Sequence, residues 1–454
     1  MIRLVRNVRM PGKEGLVDVT IVNGQFRLFK EVHQEQAQVE WGESGTILEG
    51  INEGSGRHAL EELVEEEVLD GEGMLMLPPY VESHIHLDTV LTAGDPEWNE
   101  SGTLFEGIKV WGRRKQLLTR EDVLRRATAV LHSLVGQGVL HVRTHADISE
   151  PSMTALRTLL ELKESMAGLV DLQVIAFPQD GLIACPDNRA RLREALRLGA
   201  DGISAIPHGE PSREAGIASL DDVFALAADT GCQLHLFCDE LDDAHSRYLE
   251  AAAERTSRFG LGPRVTAAHV NATAYYGEAY FRKLAGQVAA AGMNIVCCPL
   301  INSAMQGRFD SFPKGRGIAR IAELTAAGVN VAVAHDDIAT PFYPLGSGSM
   351  LTAAHMAVHL AHMTGLSELE QAVAMITTNA AQALGITHQY GLAPGKPASF
   401  VLVDADDPRD LLRRQPPCRY VVRQGQLIAR TEPARTSLLR QGQLSEADLS
   451  LRRL

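Results

Sequence analysis

His84-Ile85-His86 follows an apolar run from Met74 to Val81. In a β-strand, side chains two residues apart leave the same face. Two imidazoles leaving the end of one strand side by side can hold one metal ion. Far downstream, His335-Asp336-Asp337 follows a second apolar run, Val329 to Ala334. A carboxylate from that segment can close the site from another strand. The chemistry this suggests is hydrolysis by metal-activated water. The tripeptide alone is a weak signal. Sixteen histidines in 454 residues produce such a pair by chance, and two histidines in a loop are the competing account.

Repetition along the chain strengthens the reading. Leu140–Asp147, Leu172–Gln179, Gly202–His208, Gln233–Glu240, Val265–His269 and Asn294–Pro299 are further apolar segments that end in polar or ionisable residues. Helical stretches lie between them, including Arg120–Val135, Met153–Ala167, Asn188–Leu198 and Leu220–Thr230. Eight strands alternating with helices predict an α/β fold, a (β/α)8 TIM barrel whose active site gathers at the C-terminal ends of the strands. The two ends of the chain differ. Val17–Leu28 reads as a hairpin turning at Asn23-Gly24. The polar stretch from Glu35 to Glu72 predicts surface loop, and its run Glu61–Glu67 a solvated face. Ala398–Asp404 and Tyr420–Ile428 are strand-like, and the last twenty residues are polar and helix-prone. The predicted organisation is a small β-sandwich domain formed from both chain ends, 1–78 and 384–454 with its tail, around a barrel of 79–383.

Composition bounds the function. Hydrophobic residues make up 45% of the chain, ordinary for a globular protein. No apolar run reaches membrane-spanning length, and Met1–Asn7 lacks the apolar stretch of a signal peptide. The six cysteines include no C-x-x-C pair, so neither a thiolate zinc site nor a disulfide framework is expected. A reducing, cytoplasmic setting fits. The net charge of −14 argues against a nucleic-acid partner.

Longer segments carry a family resemblance. They are Pro78–Thr89, Ser101–Ile108, His141–His145, Ala176–Gln179, Cys238–Asp243, Gln306–Asp310, His335–Asp337 and Tyr343–Gly346. In this order, across roughly residues 75 to 430, the chain resembles the amidohydrolase superfamily and, within it, the bacterial cytosine deaminases. The resemblance implies a metal-dependent hydrolytic deaminase of a cytosine-like, amino-substituted N-heterocycle. It implies one divalent metal, Zn2+ or Fe2+, and a small-molecule heterocyclic substrate; no nucleic-acid or membrane partner is expected, and a homo-oligomer is. By position, His84 and His86 match the first-strand metal ligands, and Asp336 matches the eighth-strand carboxylate that binds metal and takes the water proton. Glu240 matches the acid that protonates the ring nitrogen. His269 matches the histidine that polarises the hydrolytic water, and Gln179 the amide that pairs with the ring edge. Asp337 and His208 are further candidates for lining the substrate pocket.

Two departures matter. The family places another metal-binding histidine three residues before the acid, and Phe237 stands there. A phenyl ring cannot ligate a metal. Three readings stay open: His235 replaces the lost ligand, the site uses three ligands plus solvent or His269, or metal is weak or absent and the chain is a silent homologue. Phe342 stands where the family has Trp, so the pocket admits a different ring, such as isocytosine, 5-methylcytosine, isoguanine, an aminotriazine or a cyclic amide, or simply keeps an apolar wall. His141 and His145 flank Arg143 at one parity, and buried structural histidines explain them equally well. His355, His359 and His362 fall at helical spacing, for which a packed helix face is the simpler account.

Overall fold

In the computed structural model of the chain, residues 1–32, 67–440 and 442–447 are described. Two compact units emerge: Tyr80–Thr387, and Met1–Pro79 with His388–Leu454. Most of the acidic stretch from Glu35 to Glu72, including Glu61 to Glu66, lies outside the described residues.

The larger unit is built on eight strands: Tyr80–Ile85, Val139–Asp147, Asp171–Phe177, Gly202–Ala205, Gln233–Cys238, Val265–His269, Asn294–Cys297 and Asn330–Val333. They form one sheet in chain order, parallel at every neighbour. A parallel bridge between Ile85 and Asp336 closes the sheet on itself. Strands covered on both faces bury nearly every residue, which explains their near-continuous apolar runs. Helices return the chain between strands. Arg120–Gly136 shows how: Thr119 caps its start by accepting from Asp122 N, and Val123, Ala127, Val130, Leu131 and Leu134 form one buried stripe. This is a (β/α)8 barrel. At its seam, the buried Glu82 carboxylate accepts from His84 N and from His335 N, both at 3.0 Å. It ties the first strand to the segment leaving the eighth.

In the smaller unit, Leu4–Val8, Leu16–Val22, Gln25–Val32 and Val68–Asp70 make one four-stranded sheet. Leu75–Leu77, Phe400–Val403, Cys418–Arg423 and Gln426–Arg430 make another. Val5, Val19, Phe26, Met76, Phe400 and Leu402 share one core between them, as in a β-sandwich. Asn23 and Gly24 both have positive φ, the backbone a two-residue hairpin turn requires.

Three expectations on elements are corrected. The apolar run from Met74 to Val81 is two strands, because Pro78 and Pro79 offer no N–H to a ladder. Leu75–Leu77 pairs antiparallel with Phe400–Val403, and the first barrel strand begins at Tyr80. Tyr420–Ile428 breaks at Gln424-Gly425, both at positive φ, into two paired strands. The described part of the tail is a hairpin, Thr436–Arg440 with Gln443–Ala447, not a helix, turning at Gly442 with φ +81°. Among the described residues, no helix is long and apolar enough to cross a membrane.

Candidate active site

The site grows from strand ends. His84 is fully buried one residue before the end of the first strand, and His86 follows the strand. His269 ends the sixth strand at φ +68° and Asp336 follows the eighth at φ +71°. Left-handed backbone is costly for residues other than glycine. At these strand ends it breaks the two-residue alternation and re-aims the side chains. His84 Nε2 lies 3.8 Å and His86 Nε2 4.0 Å from the same oxygen, Asp336 Oδ1. His84, His269, Cys298 and Asp336 offer ligand atoms that all lie within 4.8 Å of one another.

These atoms fit a divalent metal ion. His84 Nε2, His269 Nε2 and Asp336 Oδ1 are buried with no hydrogen-bond partner. Each such group costs on the order of 1–3 kcal/mol, and one cation with a water beside it can satisfy all three. Burial holds the imidazoles in their neutral, ligating form, with His86 and His269 each lowered to about 3. Burial also pushes the Asp336 carboxyl up, and Asp337, Glu240 and Glu82 add to the rise. A cation relieves this crowding of carboxyls.

Glu240 lies two residues past the fifth strand and is almost fully buried. Asn302 Nδ2 donates to its Oε1 at 3.3 Å, and His269 Nδ1 is 3.5 Å from the same oxygen. Burial, then the Asp337 charge, push the Glu240 carboxyl up to about 8, so it carries a proton at neutral pH. Asp337 is pushed up to about 7 by burial, against hydrogen bonds from Thr340 and Thr89.

Phe237 stacks on Phe177 with ring centroids 4.1 Å apart and joins Ile206 in a small apolar cluster. His235, fully buried, stands behind His84: its Nε2 is 2.8 Å from His84 Nδ1, and its Nδ1 is 3.3 Å from an Arg143 nitrogen. It therefore engages the nitrogen of His84 that faces away from Asp336. Arg143 can only donate, so when it bonds His235 the proton order runs through to a protonated His84 Nε2. When His84 Nε2 serves as a ligand the order reverses, and Arg143 turns to Thr266 Oγ1, 3.4 Å away. His84, His145 and His235 form a second group of three with ligand atoms within 4.8 Å.

Gln179 is half-buried two residues past the third strand. His208 sits in the short turn after the fourth, held down to about 4 by burial. Phe342 lies over Gly107, where an added Cβ would come 2.8 Å from its ring. It lines a cavity of about 220 Å³ with Trp98, Met305, Arg308 and Thr340. Other histidines stand apart. His141 is 3.1 Å from Asp171, and His355 and His359 are neighbours on one helix with ring centroids 4.3 Å apart. No metal-capable group among the described residues includes them or His362. Sequence reasoning missed Glu82, Cys298 and Asn302. The only signal for Cys298 was its place at the end of the seventh strand.

The amidohydrolase family model matches residues 67–429, and the chain belongs to that family. It is a hydrolase acting on carbon–nitrogen bonds. Among solved structures, it is similar to a 5-methylcytosine deaminase from Klebsiella pneumoniae liganded with 5-fluorocytosine, with 39% identity, TM-score 0.87, and 95% of this chain and 98% of that one covered. An N-isopropylammelide isopropyl amidohydrolase of Pseudomonas sp. (strain ADP) is 26% identical over 94% of this chain and 97% of its own length. A pterin deaminase of Rhizobium rhizogenes is 29% identical over 82% of this chain and 84% of its own.

Proposed function

We propose that this chain hydrolytically deaminates an amino-substituted N-heterocycle, with cytosine-like aminopyrimidines as the substrate class. The observation that carries the reading is the buried Glu240 carboxyl, 3.5 Å from His269, which itself groups with His84 and Asp336. His84, His86 and Asp336 would hold one divalent ion, Zn2+ or Fe2+. When bound, such an ion lowers the pKa of water towards neutrality. Asp336 accepts a proton from the attacking water, and His269 orients that water. Glu240 donates its proton to the ring nitrogen beside the amino-bearing carbon, so water adds across the C=N bond. Asp336 passes its proton to the amino group and ammonia leaves, while the hydroxyl proton of the adduct returns to Glu240 as the ring carbonyl forms. Gln179 offers a donor and an acceptor to the ring edge. Asp337, His208 and Phe342 shape the pocket.

Two relatives support the substrate class, being named deaminases of 5-methylcytosine and of pterin. The six free cysteines fit a reducing cytoplasm. Phe342 over Gly107 favours a second reading within the same chemistry, in which a substituted pyrimidine or an aminotriazine is preferred to cytosine. Metal-replete protein assayed with cytosine, 5-methylcytosine, isocytosine, isoguanine and aminotriazines should release ammonia from at least one. Release from none would overturn the deaminase reading.

A further inference from the structure

We propose that Cys298 is a direct ligand of the metal held at the barrel mouth, giving this chain a mixed imidazole, carboxylate and thiolate site. The inference rests on the reading of that cluster as a metal site. Cys298 follows the seventh strand and opens the Pro299–Met305 helix. Its side chain is 1% exposed, it forms no disulfide, and its thiol is within hydrogen-bonding reach of Asp336. Its Sγ lies within 4.8 Å of the ligand atoms of His84, His269 and Asp336. Three of those neighbouring atoms are buried and aimed at the same space without a hydrogen-bond partner. Within the fifth strand itself, Phe237 places a phenyl ring, stacked on Phe177, where the family has an imidazole, and His235 is engaged behind His84.

Charge points the same way. A buried divalent ion is costly unless neutralised. Asp336 supplies one negative charge. On coordination the Cys298 S–H bond breaks, a sulfur–metal bond forms, and the proton passes to solvent. Thiolate and carboxylate then balance the ion. Cys297 is absent from the group. A thiolate ligand favours Zn2+ and Co2+ over Mg2+ and Mn2+.

Cobalt tests this. The full chain, stripped of metal with a chelator, is titrated with Co2+ and followed by absorbance. One Co2+ per chain should bind, with a near-ultraviolet sulfur-to-cobalt charge-transfer band. The band should vanish in Cys298→Ser and persist in Cys297→Ser. Losing a residue that only hydrogen-bonds to a metal ligand already weakens metal sites by about 10–100-fold, so Cys298→Ala should weaken Co2+ binding at least about tenfold. Co2+ bound at one per chain without the band in the unmodified protein would overturn the proposal, whatever the variants do. A band that survives in Cys298→Ser would overturn it too. If no Co2+ binds at all, the metal reading of the cluster falls, and this proposal with it.

Discussion

At Glu240, burial and the Asp337 charge raise the carboxyl to about 8, which keeps the proton where a ring nitrogen can take it. Glu240→Gln keeps the size and the bond from Asn302 but cannot give up a proton. That variant should fold and bind metal as the parent does, with turnover reduced about 10²–10⁴-fold; near-parental turnover would remove Glu240 from the chemistry. His86→Ala deletes a neutral imidazole 4.0 Å from Asp336 Oδ1, and elemental analysis should show metal content falling below one ion per chain. Unchanged content would sink His86 as a ligand. At this scale His84, His86 and Asp336 were readable, because strand-end polarity after an apolar run is a sequence signal. Cys298 and Asn302 were not. A cysteine after an apolar strand looks like core, and an asparagine in the following helix meets Glu240 only through the barrel's closure.

The strands position these groups, and Glu82 shows how. Its carboxylate holds backbone N–H groups on both sides of the seam. Glu82→Ala strands two buried donors, each costing on the order of 1–3 kcal/mol. Chemical denaturation should show a loss of roughly 2–6 kcal/mol; a loss well under 1 kcal/mol would mean that the seam does not depend on it. His235 acts through His84. His235→Ala should therefore weaken metal binding by about 10–100-fold without abolishing it, and complete loss in a folded variant would make His235 a ligand instead. The strand–helix alternation was legible because buried parallel strands write continuous apolar runs. Boundaries were less so. The Met74–Val81 run hid a change of sheet at two prolines, and the left-handed residues at His269 and Asp336 defeat any alternation rule.

Over the whole molecule, the buried carboxyls make a linked prediction. Glu82 and Glu240 are raised to about 8, and Asp88 and Asp337 to about 7. All lie above the unfolded values near 4, so at these four carboxyls the folded, metal-free chain holds more protons than the unfolded chain between those limits. The buried histidines His86, His269, His208 and His335, lowered to about 3 or 4, oppose this below their unfolded value near 6.5, so the carboxyls' contribution shows as stability falling while pH rises from about 6.5 to 8. A bound cation favours the ionised carboxyls near it and offsets part of that loss. Melting curves should show the gap between metal-loaded and chelated protein widening with pH. Parallel curves would contradict the electrostatic account of the site.

Turnover in ¹⁸O-labelled water tests the central claim most directly. Hydrolytic deamination places a water oxygen on the ring carbon that carried the amino group and releases that nitrogen as ammonia. With metal-loaded protein and a responsive aminopyrimidine, mass spectrometry should find label in the product, matched by equal ammonia, and Glu240→Gln should suppress both together. A product without label, or labelled product without ammonia, would contradict the account.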